Sequence, residues 1–321
     1  MQNTPKHILV VYYSQSGQLR RVIESVCGPL KEAEQIQLHE LVLTPKQDFP
    51  FPWPFLSFFN HFPECVYLDP PELEPLELDE SIDYDLIILA YQPWFLSPSM
   101  PITAFLQSDT AGKILKDKPV MTLIACRNMW TQAQLAISTM LESIGAKLID
   151  NAVLVDQGST MASFITTPRW MLTGRKTAFW GLPEAGVAEA DISSACRFGL
   201  AIRDGLATNL EQTGKPLLAG LEAVKADVGL IQSEMIGYRS FRIWGKLLRA
   251  IGNRESAIRK SVLIFYIIFL ICLILSVVPV VSLIKWLTRP LLKTRHKEIK
   301  DRFELPSGSG NERVEKYTCQ K

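Results

Sequence analysis

The chain has 321 residues, 47% hydrophobic and 21% charged, which excludes wholesale disorder and allows a sizeable buried core. Its 34 Lys and Arg against 33 Asp and Glu leave a net charge of +1, which singles out no polyanionic partner, so no nucleic acid is expected. The length fits one ordinary domain with appendages or two modest domains.

Residues 7–13 (HILVVYY) predict a first strand. A Ser/Gly turn follows, then an amphipathic helix over 19–33 and a second strand over 35–42. Residues 48–63 (DFPFPWPFLSFFNHFP) hold six of the fifteen Phe and Trp53. Their Pro spacing argues against a regular element. Three readings stay open here: a loop folded back on the core, an aromatic wall over a ligand, or a loop dipping into lipid. The acidic, Pro-bearing stretch 69–85 reads as a solvated connector. Apolar runs at 85–91 (DLIILAY), 119–126 (PVMTLIAC) and 146–155 predict three more strands, with a helix over 131–145 between the last two. Continuous apolar strands separated by helices imply a parallel sheet covered on both faces. A closing helix is expected over 188–206. Residues 159–180 carry Phe164, Trp170, Met171, Phe179 and Trp180 among Arg169, Arg175 and Lys176, and face either substrate or membrane.

Beyond Gly214 the character changes. Residues 217–251 have a long helical pattern. Near its end Phe241, Trp244, Leu248 and Ile251 share one arc, and Arg239, Arg242, Lys246 and Arg249 a neighbouring one. That mixture suits a helix in a membrane interface. Residues 262–284 are twenty-three uncharged residues, roughly 34 Å as a helix and enough for a bilayer core. Pro279 could kink it. A charged, mobile tail from residue 288 is expected. The divisions are therefore an α/β domain at 1–212, a basic amphipathic connector at 213–260, a transmembrane helix at 261–287 and a tail at 288–321. A single span carrying the tail across is favoured over a shallow hairpin bent at Pro279. Seven basic residues on each side leave the positive-inside rule tied.

The six cysteines (Cys27, Cys65, Cys126, Cys196, Cys272, Cys319) form no CxxC, and with four histidines no metal-ligand spacing arises. Reduced intracellular thiols and no metal are expected. The polar first residues run straight into a strand, so no signal peptide is read and a cytoplasmic fold is expected.

The chemistry-bearing residues follow the strands. After the first strand, Ser14, Gln15, Ser16, Gly17, Gln18 and Leu19 place two hydroxyls and a glycine where a strand feeds a helix N-terminus, a site that favours phosphate. No Walker lysine and no GxGxxG follow, so triphosphate and dinucleotide readings fall away. The second loop holds Pro93, Trp94, Phe95 and Leu96. The third holds Cys126, Arg127, Asn128, Met129 and Trp130. Trp94 and Trp130 are candidates to flank a ring or to be core. Arg127 is the candidate to stabilise an anion, or else a surface arginine. Tyr91, Tyr12 and His61 are candidate proton donors, with Tyr91 preferred.

The strand–SQSGQ–helix opening resembles the FMN-binding loop of flavodoxin-like proteins. YQPWFLSPSMP resembles the loop of flavodoxin-fold quinone reductases that sets a Pro and an aromatic against the flavin. As whole strings, YQPWFLSPSMP, ACRNMW and FPFPW are similar to the bacterial dialkylresorcinol condensing enzymes, aromatase partners in dialkylresorcinol and flexirubin-type lipid pathways, over residues 6–176. The resemblance implies a flavodoxin-like, doubly wound five-stranded parallel sheet with FMN as cofactor. It implies a membrane-anchored oxidoreductase that aromatises a 2,5-dialkylcyclohexane-1,3-dione to a dialkylresorcinol, with a ketosynthase as partner. Arg127 and Tyr91 would be its catalytic residues. The alternatives are an NAD(P)H-dependent FMN quinone reductase and a tethered flavodoxin-type electron carrier. The location implied is the inner (cytoplasmic) membrane, with the flavin domain on the cytoplasmic side.

Overall fold

The computed structural model describes residues 5–288 and 293–319; of 277–288 and 293–297 only the backbone is described. Five parallel strands form one sheet: β1 (Lys6–Tyr12), β2 (Ile36–Val42), β3 (Leu86–Tyr91), β6 (Pro119–Cys126) and β7 (Lys147–Val155), in the order β2-β1-β3-β6-β7. β3 is buried along its whole length, which is why it reads as an unbroken apolar run. A two-residue pair, β4 (Pro93–Trp94) with β5 (Ser97–Pro98), forms a small hairpin after β3.

The order runs outward in both directions from the β1–β3 pair. Right-handed crossovers then place α1 (Gln18–Lys31) on one face and α6 (Thr131–Ile144) on the other. This is the flavodoxin-like winding, and its ligand crevice lies at the carboxyl ends of β1 and β3, where the winding reverses. The expected strands are all present to within a residue or two. The Phe-rich stretch, expected to be irregular, forms two short helices, α2 (Phe55–Asn60) and α3 (Phe62–Val66). Pro54 precedes α2 and Pro63 lies in the first turn of α3, where a missing N–H breaks no helical bond.

After β3 come α4 (Met100–Leu106) and α5 (Asp109–Ile114), and after β7 comes α7 (Thr160–Thr173). The closing helix is split into α8 (Glu189–Ser194) and α9 (Cys196–Ala207). α9 packs on α1 so closely that a side chain at Gly199 would overlap the Val26 carbonyl.

The connector departs from expectation. Residues 217–226 are not helical; they lie along the outer edge of β7, where Val153 N–H donates to the Ala223 carbonyl at 2.8 Å. Leu217, Leu218, Leu221 and Val224 are buried in the main core there, and the segment covers an otherwise open sheet edge. The helix proper, α10, is Val228–Ile251, capped by Asp227. α11 (Ala257–Thr288) runs without a break through Pro279. Its first turn is clamped: Arg259 is buried and donates to Glu64 at 2.7 and 2.8 Å and to the Asn60 carbonyl at 2.9 Å. Losing one partner of such a pair would strand a buried charge, at a cost of about 3–5 kcal/mol.

The tail is not free. After α12 (Lys293–Glu304), Glu304 accepts from Ala226 N–H, Ser307 donates to Asp150, and Arg313 donates to the Leu217 and Ala219 carbonyls. Tyr317 is buried, and Cys319 is disulfide-bonded to Cys196. These contacts replace the expected mobile tail with one docked on the domain. The disulfide likewise corrects the expectation of free thiols at these two positions. Its partners are 123 residues apart, so no local spacing could reveal it.

Candidate functional site

The loop after β1 turns at Gly17, whose φ of +82° is left-handed and easiest for glycine. Ser14 Oγ accepts from Arg20 N–H at 3.2 Å. Ser16 is exposed, and the N–H groups of Ser16, Gly17, Gln18 and Leu19 have no partner among the described residues. These are the open donors of a helix N-terminus. Gln15 is used otherwise: its amide donates to the Phe49 and Pro50 carbonyls and accepts from Trp53 Nε1, tying the Phe-rich stretch over this loop. Gln18 packs against Gly186 so tightly that a Cβ there would collide with its amide.

In the second loop Phe95 and Leu96 both have positive φ, 50° and 61°. Two-residue hairpin turns ask for such angles, and in bulky residues each costs of order 1–3 kcal/mol. Phe95 is held by Phe58 and Phe62, with ring centroids 4.6 and 5.8 Å away. Trp94 is buried in an aromatic box with Tyr13, Phe49 and Trp53. Its rings therefore serve packing, and Trp130 is likewise part of the main core. Trp94 presents no open face to a ring, whereas Trp130 also lines a cavity beside the third loop.

Tyr91 is not placed for catalysis. It is fully buried, and its hydroxyl donates to Gln134 Oε1 at 2.8 Å, while Gln134 Nε2 donates to Thr122 Oγ1. Burial pushes its pKa well above the ordinary range. Tyr12 donates to Glu40. His61 lies between Phe49 and Trp53, with Nδ1 2.7 Å from the Ser57 carbonyl, and burial lowers its pKa.

Arg127 keeps its candidacy. Its guanidinium lies 4.1 Å from the Phe164 ring centroid, and Nη2 is buried without a partner. Burial lowers its pKa to about 10, so it stays a cation at neutral pH. Four more buried polar atoms lack partners on the same two loops: Gln92 Oε1, Ser97 Oγ, Ser99 Oγ and Asn128 Oδ1. Cys126 and Met129 share the third loop and are partly exposed. Leaving five such atoms unpaired is costly, and a ligand is the usual remedy.

Sequence reading missed Asp156. Sitting just beyond β7, it accepts from Gly158 N–H at 2.7 Å and from Gly186 N–H, joining the loop that meets Gln18. A polar residue at a strand's carboxyl end was the available signal. A cavity of about 250 Å³ adjoins the third loop, lined by Asn128, Trp130, Asp156, Ser159, Lys225 and Glu234. It lies at the ends of β6 and β7 and is too small for a whole flavin nucleotide.

The strand order and the crevice define a flavodoxin-like α/β domain. No protein-family model matches the chain and no curated protein is similar to it. Among solved structures, it is similar to a flavoprotein from Lactobacillus acidophilus NCFM in complex with FMN (TM-score 0.37, 18% identity, 46% of this chain and 93% of that one). It is also similar to a flavodoxin from the domain Archaea (0.35, 10%, 63% and 99%) and to two-electron reduced Megasphaera elsdenii flavodoxin (0.28, 17%, 46% and 84%). At these scores the fold assignment rests on the strand order itself.

Proposed function

We propose that the chain is a membrane-held, FMN-dependent oxidoreductase that aromatises a lipid-like 2,5-dialkylcyclohexane-1,3-dione. The carrying observation is the set of five buried, unpartnered polar atoms on the loops after β3 and β6, beside an α1 N-terminus with open N–H groups. That donor set fits FMN. The phosphate would be held by the N–H groups of Ser16 to Leu19 and the Ser16 hydroxyl, and the polar ring edge by Gln92, Arg127 and Asn128. FMN, when bound, supplies the hydride acceptor.

Arg127 is the residue this chain contributes to the chemistry. A 1,3-dione that loses a ring proton becomes an enolate, and a buried guanidinium stabilises that charge. The aromatic packing of Phe49, Trp53, Trp94 and Phe95 keeps water from that end of the sheet. A ketosynthase is the class of enzyme that would supply the dione, and the flavin domain would face the cytoplasm at the inner membrane.

The test is an absorbance spectrum of the detergent-purified full chain, then anaerobic titration with a 2,5-dialkylcyclohexane-1,3-dione. Bleaching of the flavin bands with stoichiometric resorcinol is expected. Bleaching by NADPH without response to the dione would replace this reading with the quinone reductase. Fast electron exchange with a protein partner alone would replace it with the carrier.

A further inference from the structure

The α/β domain holds the C-terminal helices at both ends. Glu234 of α10 bonds to the start of α6, Arg259 of α11 is clamped by Glu64 and Asn60, and the chain returns through Glu304, Ser307, Arg313 and Cys319 onto β7 and α9.

α11 lies antiparallel along α10: Leu248 shares a cluster with Leu263, Trp244 stacks on Tyr266, and Phe241 meets Tyr266 edge-on. Leu263, Tyr266 and Ile267 are thereby covered. The opposite stripe of α11, with Ile264, Phe265, Ile268, Ile271 and Leu275, is 43–72% exposed. Among the described residues, 257–276 is the one helix long and apolar enough to cross a membrane, by length and composition. It cannot cross and leave the tail where the tail sits. The only described return element is α12, eight of whose twelve residues are charged (KTRHKEIKDRFE). At about 1.5 Å per residue it is roughly 18 Å long, short of the roughly 30 Å hydrocarbon core.

The outer side of α10 has a second character. Ile236, Ile243 and Leu247 are exposed, interleaved with exposed Arg239 and Lys246, which make no ion pair among the described residues. Apolar and unpaired basic side chains on one face match an anionic headgroup layer over acyl chains.

We propose that α10 and α11 form a one-leaflet insertion whose partner is anionic phospholipid: the bare stripe of α11 sits among acyl chains, Arg239 and Lys246 sit at the headgroups, and both chain ends stay on the flavin side. This builds on the membrane-held reading above and changes its topology.

The full chain in bacterial membranes tests this. Cysteines are introduced singly at Glu32→Cys on the domain and Asn311→Cys on the tail, and probed with a membrane-impermeant maleimide in spheroplasts and inside-out vesicles, against the parent chain's own labelling. Both should label from the same side. Labelling from opposite sides overturns the one-leaflet insertion. In parallel, detergent-purified full chain is floated with vesicles of phosphatidylglycerol and phosphatidylcholine. Phe265→Asp with Ile268→Asp, both on the bare stripe, should abolish flotation. Arg239→Gln with Lys246→Gln should weaken it about thirtyfold, from roughly 1 kcal/mol per basic residue at an anionic surface. A chain that stays in the supernatant, or variants that float like the parent, overturn the lipid assignment. Bound flavin is read in every sample. Same-side labelling without flavin supports the insertion while sinking the FMN reading, and opposite-side labelling with flavin retained does the reverse.

Discussion

Glu234 caps a helix that lies about a hundred residues earlier in the chain: its Oε2 accepts from the Thr131 hydroxyl at 2.7 Å and its Oε1 from Gln132 N–H at 2.7 Å. α6 has no capping side chain of its own, because Trp130 occupies the cap position. The carboxylate therefore supplies what a local Ser or Asp usually does, and complements the positive helix end. It also fixes α10 beside the loop that carries Arg127 and Asn128.

Glu234→Ala should consequently destabilise the protein by about 1–3 kcal/mol, since buried N–H and hydroxyl donors lose their acceptor. Thermal unfolding in detergent reads this. Flavin affinity should fall as well, because the third loop loses its anchor. An unchanged melting temperature would remove the capping role.

Arg127 and Tyr91 should part company. Arg127→Leu should lower turnover on the dione by about a hundredfold or more, as loss of a buried charge-stabilising donor does in comparable sites. Tyr91→Phe should leave turnover alone and cost about 1–3 kcal/mol of stability through the stranded Gln134 amide. Tyr91→Phe with full stability and no turnover would restore Tyr91 to the site.

Ser16→Ala should weaken FMN binding about tenfold or more, the worth of a charge-assisted hydrogen bond. Gly17→Leu should weaken it further, through strain at φ +82° rather than through collision, since no atom lies within 4 Å of the added Cβ position. Fluorescence quenching of titrated FMN measures both. Wild-type affinity in both variants would move the phosphate elsewhere.

Asp150 gives a pH dependence. It is buried and accepts from Leu217 and Leu218 N–H and from Ser307, and burial outweighs these bonds to raise its pKa to about 6. A carboxyl whose folded pKa is raised adds stability that is complete below its unfolded value near 4 and lost as pH climbs through about 6. The size is at most about 3 kcal/mol. Unfolding should thus become easier from pH 4 to pH 6 on this account, and Asp150→Asn should flatten that slope. An unaltered slope would assign it to other groups.

The Cys196–Cys319 bond should hold the tail. Breaking it with reductant, or with Cys319→Ser, should speed proteolysis after residue 304 and cost about 2–4 kcal/mol of stability. Equal cleavage with and without reductant would leave docking to Ser307 and Arg313 alone. Rapid alkylation in cells reports the redox state in place, since reducing compartments keep such thiols open.

Local pattern carried much of this protein. Apolar runs at 7–13, 85–91, 119–126 and 146–155, with helical periods between several of them, already imply the parallel sheet and the turn at Ser14 to Gly17. The uncharged run 262–284 likewise announces a helix that seeks lipid or cover. What periodicity could not decide is direction and pairing. In β3 every residue is buried, so no alternation told whether Tyr91 faced the crevice or Gln134. Gln15 reads as a phosphate donor until the Phe-rich stretch, more than thirty residues on, takes its amide. α11 is apolar all round in sequence, and only packing against α10 separates a covered face from a bare one. The tail's charges look solvated until Ser307 meets Asp150, 157 residues away. Such contacts join segments that share no local signal, so they arise only when the chain closes on itself.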